Sequence, residues 1–141
     1  GAVYATMQQS PSNLNLPQLN VLVAEDGLAN RTLARGLLRR DGHDVTTASN
    51  GQQAIFCLQE QDYDLILMDV DMPLLDGLTA TRVIRQKEAK VGQYTPVVAL
   101  TSNLNHDACL AAGMDAFLSK PLSLPAFRAV VVSLFKRLQV I

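Results

Sequence analysis

The stretch Asp64-Leu65-Ile66-Leu67-Met68-Asp69-Val70-Asp71-Met72-Pro73-Leu74-Leu75-Asp76-Gly77 decides the fold. A short apolar run ends abruptly on a carboxylate, and a proline turn and an Asp-Gly pair follow at once. Such a run is too short for a buried helix and predicts a strand buried on both faces, as in a parallel sheet. Asp69 then falls at the strand's C-terminal end. In open α/β sheets that rim is where ligands bind and chemistry happens. Asp69 is accordingly the first candidate functional residue.

Outward from this strand, strand and helix signals alternate. Upstream, Val21-Leu22-Val23-Ala24 predicts a buried strand, and Ala29 to Arg40 has helical spacing with Leu33, Leu37 and Leu38 on one face. Gly42 stops that helix. His43 to Ala48 alternates like an outer strand, and Gln52 to Gln61 carries Ala54, Ile55 and Leu58 at helical spacing. Downstream, a helix is predicted from Leu78 to Lys90, a strand over Thr95 to Thr101, a short helix ending at Gly113 and a strand over Ala116 to Ser119. A proline near the start of a strand, as at Pro96, is tolerated because little donor capacity is lost there. Ser123 to Leu138 predicts the last helix, despite the poor helix formers Val130-Val131-Val132: Ser123 is a good N-cap, and Phe127, Val131, Leu134 and Leu138 share a face. Five βα units predict a doubly wound parallel sheet of flavodoxin-like strand order 2-1-3-4-5, with helices on both faces.

Residues 1–18 are rich in Gln, Ser, Asn and Pro and read as a flexible linker or cloning remnant, leaving 19–141 as the domain. The chain's 141 residues suit one core, and its net charge of -1 gives no bias towards nucleic acid or an anionic membrane. No apolar stretch is long enough to span a bilayer, and no signal peptide is evident. Cys57 and Cys109 lie in apolar helical patterns without Cys-x-x-Cys spacing and read as small core residues in a reducing compartment. His43 and His106 stand apart from any ligand-like neighbour and read as surface or helix-start residues.

Three further features fall at predicted strand ends: Glu25-Asp26, Thr101-Ser102 and Ser119-Lys120-Pro121. The predicted strand order brings the ends of strands one, three, four and five to one crevice. Carboxylates gathered there repel, by roughly 4 kcal/mol for a unit-charge pair at 4 Å and an effective dielectric of 20. A hard divalent cation relieves the repulsion, and an all-oxygen set with room for water suits Mg²⁺. With a lysine and a hydroxyl for the remaining phosphoryl oxygens, this is equipment for phosphoryl transfer onto a carboxylate, with Asp69 as nucleophile.

Glu25-Asp26, Asp69 with Met72-Pro73 and Asp76-Gly77, Thr101-Ser102 and Lys120-Pro121 together resemble the receiver domain of two-component response regulators. The resemblance covers Gln18 to Val140. Leu65 to Arg82 and Cys109 to Asp115 look most like the C-terminal receivers of hybrid sensor histidine kinases. It implies that Asp69 accepts a phosphoryl group from the histidine of a kinase or histidine phosphotransfer domain. Glu25, Asp26, Asp69 and the backbone carbonyl of Asp71 would hold Mg²⁺, with Mn²⁺ as a substitute. Lys120 would pair with phosphoryl oxygens, Thr101 would move towards them, and Phe117 would be the aromatic switch. Lys120-Pro121 is expected to be cis, and Asp71, Ser102 and Asn103 would tune the phosphate's lifetime. Such a domain assists its own phosphorylation and dephosphorylation without turning over alone. It is expected in the cytoplasm or on the cytoplasmic part of a membrane-bound sensor kinase. With no DNA-binding element read up to Ile141, output by phosphotransfer or protein contact is expected. Phe117 lacks the hydroxyl an aromatic switch can carry, and Gly27 stands where related receivers often have Asn.

Each feature also has a plainer reading. Asp69 alone is a strand-ending turn residue, Glu25-Asp26 an acidic pair at a helix start, Thr101-Ser102 a cap, Lys120 a solvated lysine. Arg31, Arg35 and Arg39 form a stripe that is either a solvated face or a docking surface for a histidine-bearing helix. Two other functions compete. A receiver-like interaction module without phosphorylation is one. A haloacid-dehalogenase-like phosphatase using Asp69-Val70-Asp71 is the other, although that motif opens such domains whereas two units precede it here.

Overall fold

A computed structural model describes residues 16–102 and 106–139. Residues 1–15, Asn103 and the side chain of Leu138, each of which figures in the expectations above, lie outside the described set. The chain alternates β1 (Asn20–Ala24), α1 (Leu28–Arg40), β2 (Asp44–Ala48), α2 (Gly51–Glu60), β3 (Leu65–Asp69), α3 (Gly77–Val91), β4 (Val97–Thr101), α4 (His106–Ala112), β5 (Ala116–Ser119) and α5 (Leu124–Gln139). All strand pairs are parallel, in the order β2-β1-β3-β4-β5. This is the flavodoxin-like arrangement that the βα repeat predicts.

The pleat sorts each central strand between two cores. Val21, Val23, Leu65, Leu67, Val98 and Leu100 pack on one face against Ala34 and Leu38 of α1 and Phe127, Val131 and Leu134 of α5. Leu22, Ala24, Ile66, Met68, Val97 and Ala99 pack on the other with Ala54, Ala80, Ile84 and Cys109 from α2, α3 and α4. The valine run of α5 is therefore helical because its burial outweighs its propensity. Leu16 packs against the first core, and Gln18 Nε2 donates to Asp44 Oδ2 at 2.8 Å.

Two expectations need correction. Ala34 and Leu38, not Leu33, form the buried stripe of α1; Leu33 is 41 % exposed. Leu33 is five residues from Leu38, well round the helix from it, whereas Ala34 is four residues away and shares its face. His43 is buried rather than at the surface: its Nδ1 accepts from Leu19 N–H at 3.1 Å, and its Nε2 lies 3.3 Å from Asp41 Oδ2. Asp41 also pairs with Arg128 of α5, so the histidine bridges the start of β1 to the α1–β2 turn. The cysteines are free, Cys109 buried and Cys57 half-buried, and burial pushes both thiols up. Among the described residues, no helix is long and apolar enough to cross a membrane.

Candidate functional site

Asp69 ends the central strand β3, where every residue is buried. Asp76 caps α3 by accepting from Thr79 N–H at 2.8 Å, which fixes the helix start beyond the loop. Gly77 then lies against the backbone of Asp69: a Cβ there would sit 2.0 Å from the Asp69 carbonyl oxygen. Gly77 N–H donates to Val70 C=O at 3.0 Å, so the start of α3 is pinned to the end of β3. Leu74, in the intervening loop, takes φ 67°, a left-handed conformation that costs a non-glycine residue about 1 kcal/mol.

The first strand delivers Glu25 and Asp26 beside Asp69. One carboxylate oxygen from each of the three lies within 4.8 Å of the others. Glu25 and Asp69 are buried, whereas Asp26 faces solvent. Glu25 Oε2 accepts from Gly27 N–H at 2.8 Å. Arg31 Nη1, one turn into α1, donates to the carbonyls of Glu25 at 2.9 Å and Asp26 at 3.2 Å. That arginine braces the acidic loop from behind, a role the sequence stripe did not reveal. Its distance of five and six residues from the acidic pair, across a helix start, was the available signal.

Lys120 follows β5, and the Lys120–Pro121 peptide is cis. Its Nζ lies 2.6 Å from Asp69 Oδ1 and 3.3 Å from Glu25 Oε1. Asp71 N–H also donates to Asp69 Oδ1, at 3.2 Å. The other oxygen, Asp69 Oδ2, is buried with no hydrogen-bond partner, and Glu25 Oε1 is buried with only its ion pair to Lys120. Buried carboxylate oxygens without donors are costly. Burial pushes the Asp69 carboxyl up to about 7; Lys120 opposes the rise and Glu25 adds to it. Burial alone would lower Lys120, but its bond and attraction to Asp69 win, and the ammonium is held above its ordinary value. Asp26 is held low: desolvation works against this and is outweighed by hydrogen bonding to Asp69 and Glu25, with Lys120 helping. One cation therefore faces three acids, and the orphaned oxygens suit a hard metal ion that prefers oxygen ligands.

Thr101 ends β4 beside the site and is buried, and Ser102 after it is exposed. Thr101, Ser102, His106, Phe117, Leu118, Ser119 and Lys120 line one cavity of about 270 Å³. Phe117 and His106 stack across it. The expected residues Glu25, Asp26, Asp69, Lys120 and Thr101 thus converge on one rim, with Asp71 and Ser102 at its exposed border. Sequence reading did not find the His106 stack or the close approach of Gly77, because each is a contact between separate elements whose packing residue spacing does not fix.

A parallel five-stranded sheet with an acidic cluster, a lysine and a threonine at its C-terminal switch point defines the class of protein. Residues 21–132 match the model of the response regulator receiver domain, and the chain belongs to that family. It is 39 % identical over 121 residues to the aerobic respiration control sensor protein ArcB of Escherichia coli, covering 84 % of this chain and 15 % of ArcB. The receiver domain of the sensor histidine kinase PA1611 from Pseudomonas aeruginosa, solved with a magnesium ion in its active-site cleft, is 37 % identical with a TM-score of 0.75, covering 84 % of this chain and 98 % of that one. The receiver of the Saccharomyces cerevisiae response regulator Ssk1, solved with the histidine phosphotransfer protein Ypd1, is 29 % identical with a TM-score of 0.78, covering 89 % and 93 %. The chain spans 5–15 % of the length of the curated relatives it matches. Its family is that of two-component and phosphorelay signalling, which removes the phosphatase alternative.

Proposed function

We propose that Asp69 is the phosphoacceptor, receiving its phosphoryl group from a phosphohistidine on a histidine kinase or histidine phosphotransfer protein. In the step, a carboxylate oxygen of Asp69 attacks phosphorus while the phosphorus–nitrogen bond breaks, leaving the electron pair on the imidazole. The product is an acyl phosphate on Asp69. The observation that carries this reading is the buried, unpartnered Oδ2 of Asp69 in the pocket where Lys120 holds Oδ1. That arrangement leaves one oxygen for nucleophilic attack and keeps the other fixed.

Glu25, Asp26, Asp69 and the backbone carbonyl of Asp71 would hold Mg²⁺, or Mn²⁺ in its place. When bound, the ion neutralises charge on the phosphoryl oxygens as the bond forms. Lys120 pairs with one phosphoryl oxygen and gives up part of its hold on Asp69. The hydroxyl of Thr101 donates to another, and Phe117 responds to its movement. Asp71 and Ser102 at the border, together with Asn103, govern water access and so the lifetime of the acyl phosphate. Residues 19–141 form the receiver unit, reached through 1–18, and the parent is a cytoplasmic or membrane-bound hybrid histidine kinase. ArcB and the PA1611 kinase, both similar to this chain, are sensor kinases.

The test is intact mass after incubation with acetyl phosphate and Mg²⁺. One added phosphoryl group, dependent on the metal and lost in Asp69→Asn, is expected. No adduct together with no beryllofluoride binding would replace this reading with that of an interaction module.

A further inference from the structure

We propose that His106 is a positioning residue of the phosphorylation switch: its imidazole, stacked on Phe117, holds that ring where it lies before phosphorylation, and the stack must open for the ring to move. The inference rests on the phosphoacceptor reading of Asp69.

The two rings are nearly parallel, 6° apart, with centroids separated by 3.8 Å. They come from different elements, His106 from the first turn of α4 and Phe117 from the middle of β5. Both line the cavity that also holds Thr101 and Lys120. The stack is therefore one wall of the chamber whose other walls respond to the phosphoryl group. Phe117 pairs in register with Ala99 on β4, two residues before Thr101, so a shift of Thr101 is felt beside the ring.

Phe117 has no hydroxyl, so no hydrogen bond at the ring's tip selects one position. It is half-buried and packs against the edge of the second core, which does not by itself fix the ring's orientation. The face-on contact with His106 is the orientation-specific interaction left to hold it. An aromatic pair contributes beyond its buried area, so removing one ring shifts a two-state equilibrium by about twofold to tenfold. A ligand that favours the open stack and a mutation that removes the stack push the same element the same way, and the two effects are linked. Truncating His106 therefore tightens binding of a phosphoryl mimic at Asp69, although His106 belongs to neither the acidic cluster nor its lysine.

The experiment titrates beryllofluoride into the Mg²⁺-loaded parent, His106→Ala and His106→Phe, following amide and Phe117 ring resonances by NMR. His106→Ala is expected to bind about twofold to tenfold more tightly than the parent, with His106→Phe returning towards it because a ring is restored. In the parent itself, the Phe117 ring resonances should lose the shift imposed by the neighbouring imidazole as the site saturates. Unchanged or weaker binding by His106→Ala, or Phe117 resonances that do not move on saturation of the parent, overturns the proposal. The second readout needs no variant to fold. A parent that binds no beryllofluoride at all overturns the phosphoacceptor reading, and the switch falls with it; a parent that binds while His106→Ala matches it overturns the role of His106 alone.

Discussion

Replacing Gly77 with alanine places a methyl group where the structure has no room. The added Cβ would lie 2.0 Å from the carbonyl oxygen of Asp69, 2.9 Å from its carbonyl carbon and 3.0 Å from Cγ of Met68. Ordinary carbon contacts fall at about 3.5–4.0 Å, so relief requires movement of more than about an ångström. The obstacle is backbone, which cannot rotate away. Moving it strains the Gly77 N–H to Val70 C=O bond at 3.0 Å and the Val70 N–H to Leu100 C=O bond at 3.1 Å. Overpacking costs about 1–3 kcal/mol and a weakened hydrogen bond about 1 kcal/mol, against a helix-propensity gain of at most about 1 kcal/mol at this first helical position. With the full propensity gain, the net is a loss of about 1–3 kcal/mol, or a melting temperature lower by roughly 4–12 °C for a domain this size. Gly36→Ala is the matched control: it lies within α1 with nothing inside 4 Å of its Cβ. There the same substitution should stabilise by about 0.5–1 kcal/mol. Urea denaturation of both variants, with unchanged slopes, measures the contrast. A Gly77→Ala protein as stable as the parent would refute the reasoning that α3 is pressed onto the acceptor's backbone. Phosphorylation of Gly77→Ala by acetyl phosphate should also slow, because the displaced backbone carries Asp69.

The raised Asp69 carboxyl sets a sign for pH. The folded protein holds that proton up to about 7 while the unfolded chain releases it in the ordinary carboxylate range, so this contribution to metal-free stability is present at low pH and lost as pH rises towards neutrality. Denaturation midpoints across that window should fall with pH in the parent and flatten in Asp69→Asn, while Mg²⁺ affinity climbs through the same window; a flat parent profile contradicts it. His43 acts in the opposite sense. Burial holds it below its ordinary 6.5, despite Asp41, so its contribution is lost as pH falls below that value, and His43→Gln should reduce the loss. Arg85 donates to Gly113 C=O at 3.0 Å, Thr95 C=O at 2.8 Å, Glu88 at 2.6 Å and Asp115 at 2.9 Å, and lies under the Tyr94 ring. Arg85→Ala leaves the buried Glu88 and the half-buried Asp115 without their shared cation and should cost about 3 kcal/mol in denaturant unfolding; a loss under about 1 kcal/mol would show that solvent replaces it. Arg35→Glu should slow phosphotransfer from a histidine partner without slowing acetyl phosphate, whereas Arg31→Glu should slow both because Arg31 braces the acidic loop. Equal slowing of both donors by Arg35→Glu would end the docking reading of that stripe.

The sequence by itself determined the alternation of five strands with five helices and the address of each chemical group. That information is local: an apolar run bounded by turn residues predicts a strand, and whatever follows the run lies on the rim. Asp69, Glu25, Asp26, Thr101 and Lys120 were all legible in this way. The strands' two-sided burial made even the valine run of α5 readable, once its period was weighed against its propensity. The errors were errors of facing. The spacing of Leu33, Leu37 and Leu38 leaves the helix's rotation uncertain by a residue, and the sheet settled it by fitting Ala34 and Leu38 against Val21 and Val23. His43 looked like a surface residue because its partners, Leu19 and Asp41, lie on separate elements.

Only the tertiary structure decided which oxygens are satisfied. Residue spacing cannot show that Asp69 Oδ1 is held by Lys120 and the Asp71 amide while Oδ2 has no donor, since that depends on ångström-scale convergence of three loops. Nor can it show Gly77 against the acceptor's carbonyl or His106 against Phe117, which are contacts between surfaces the chain brings together only on folding. Side-chain identity is fixed along the chain, but distance, desolvation and therefore proton affinity arise from packing across it.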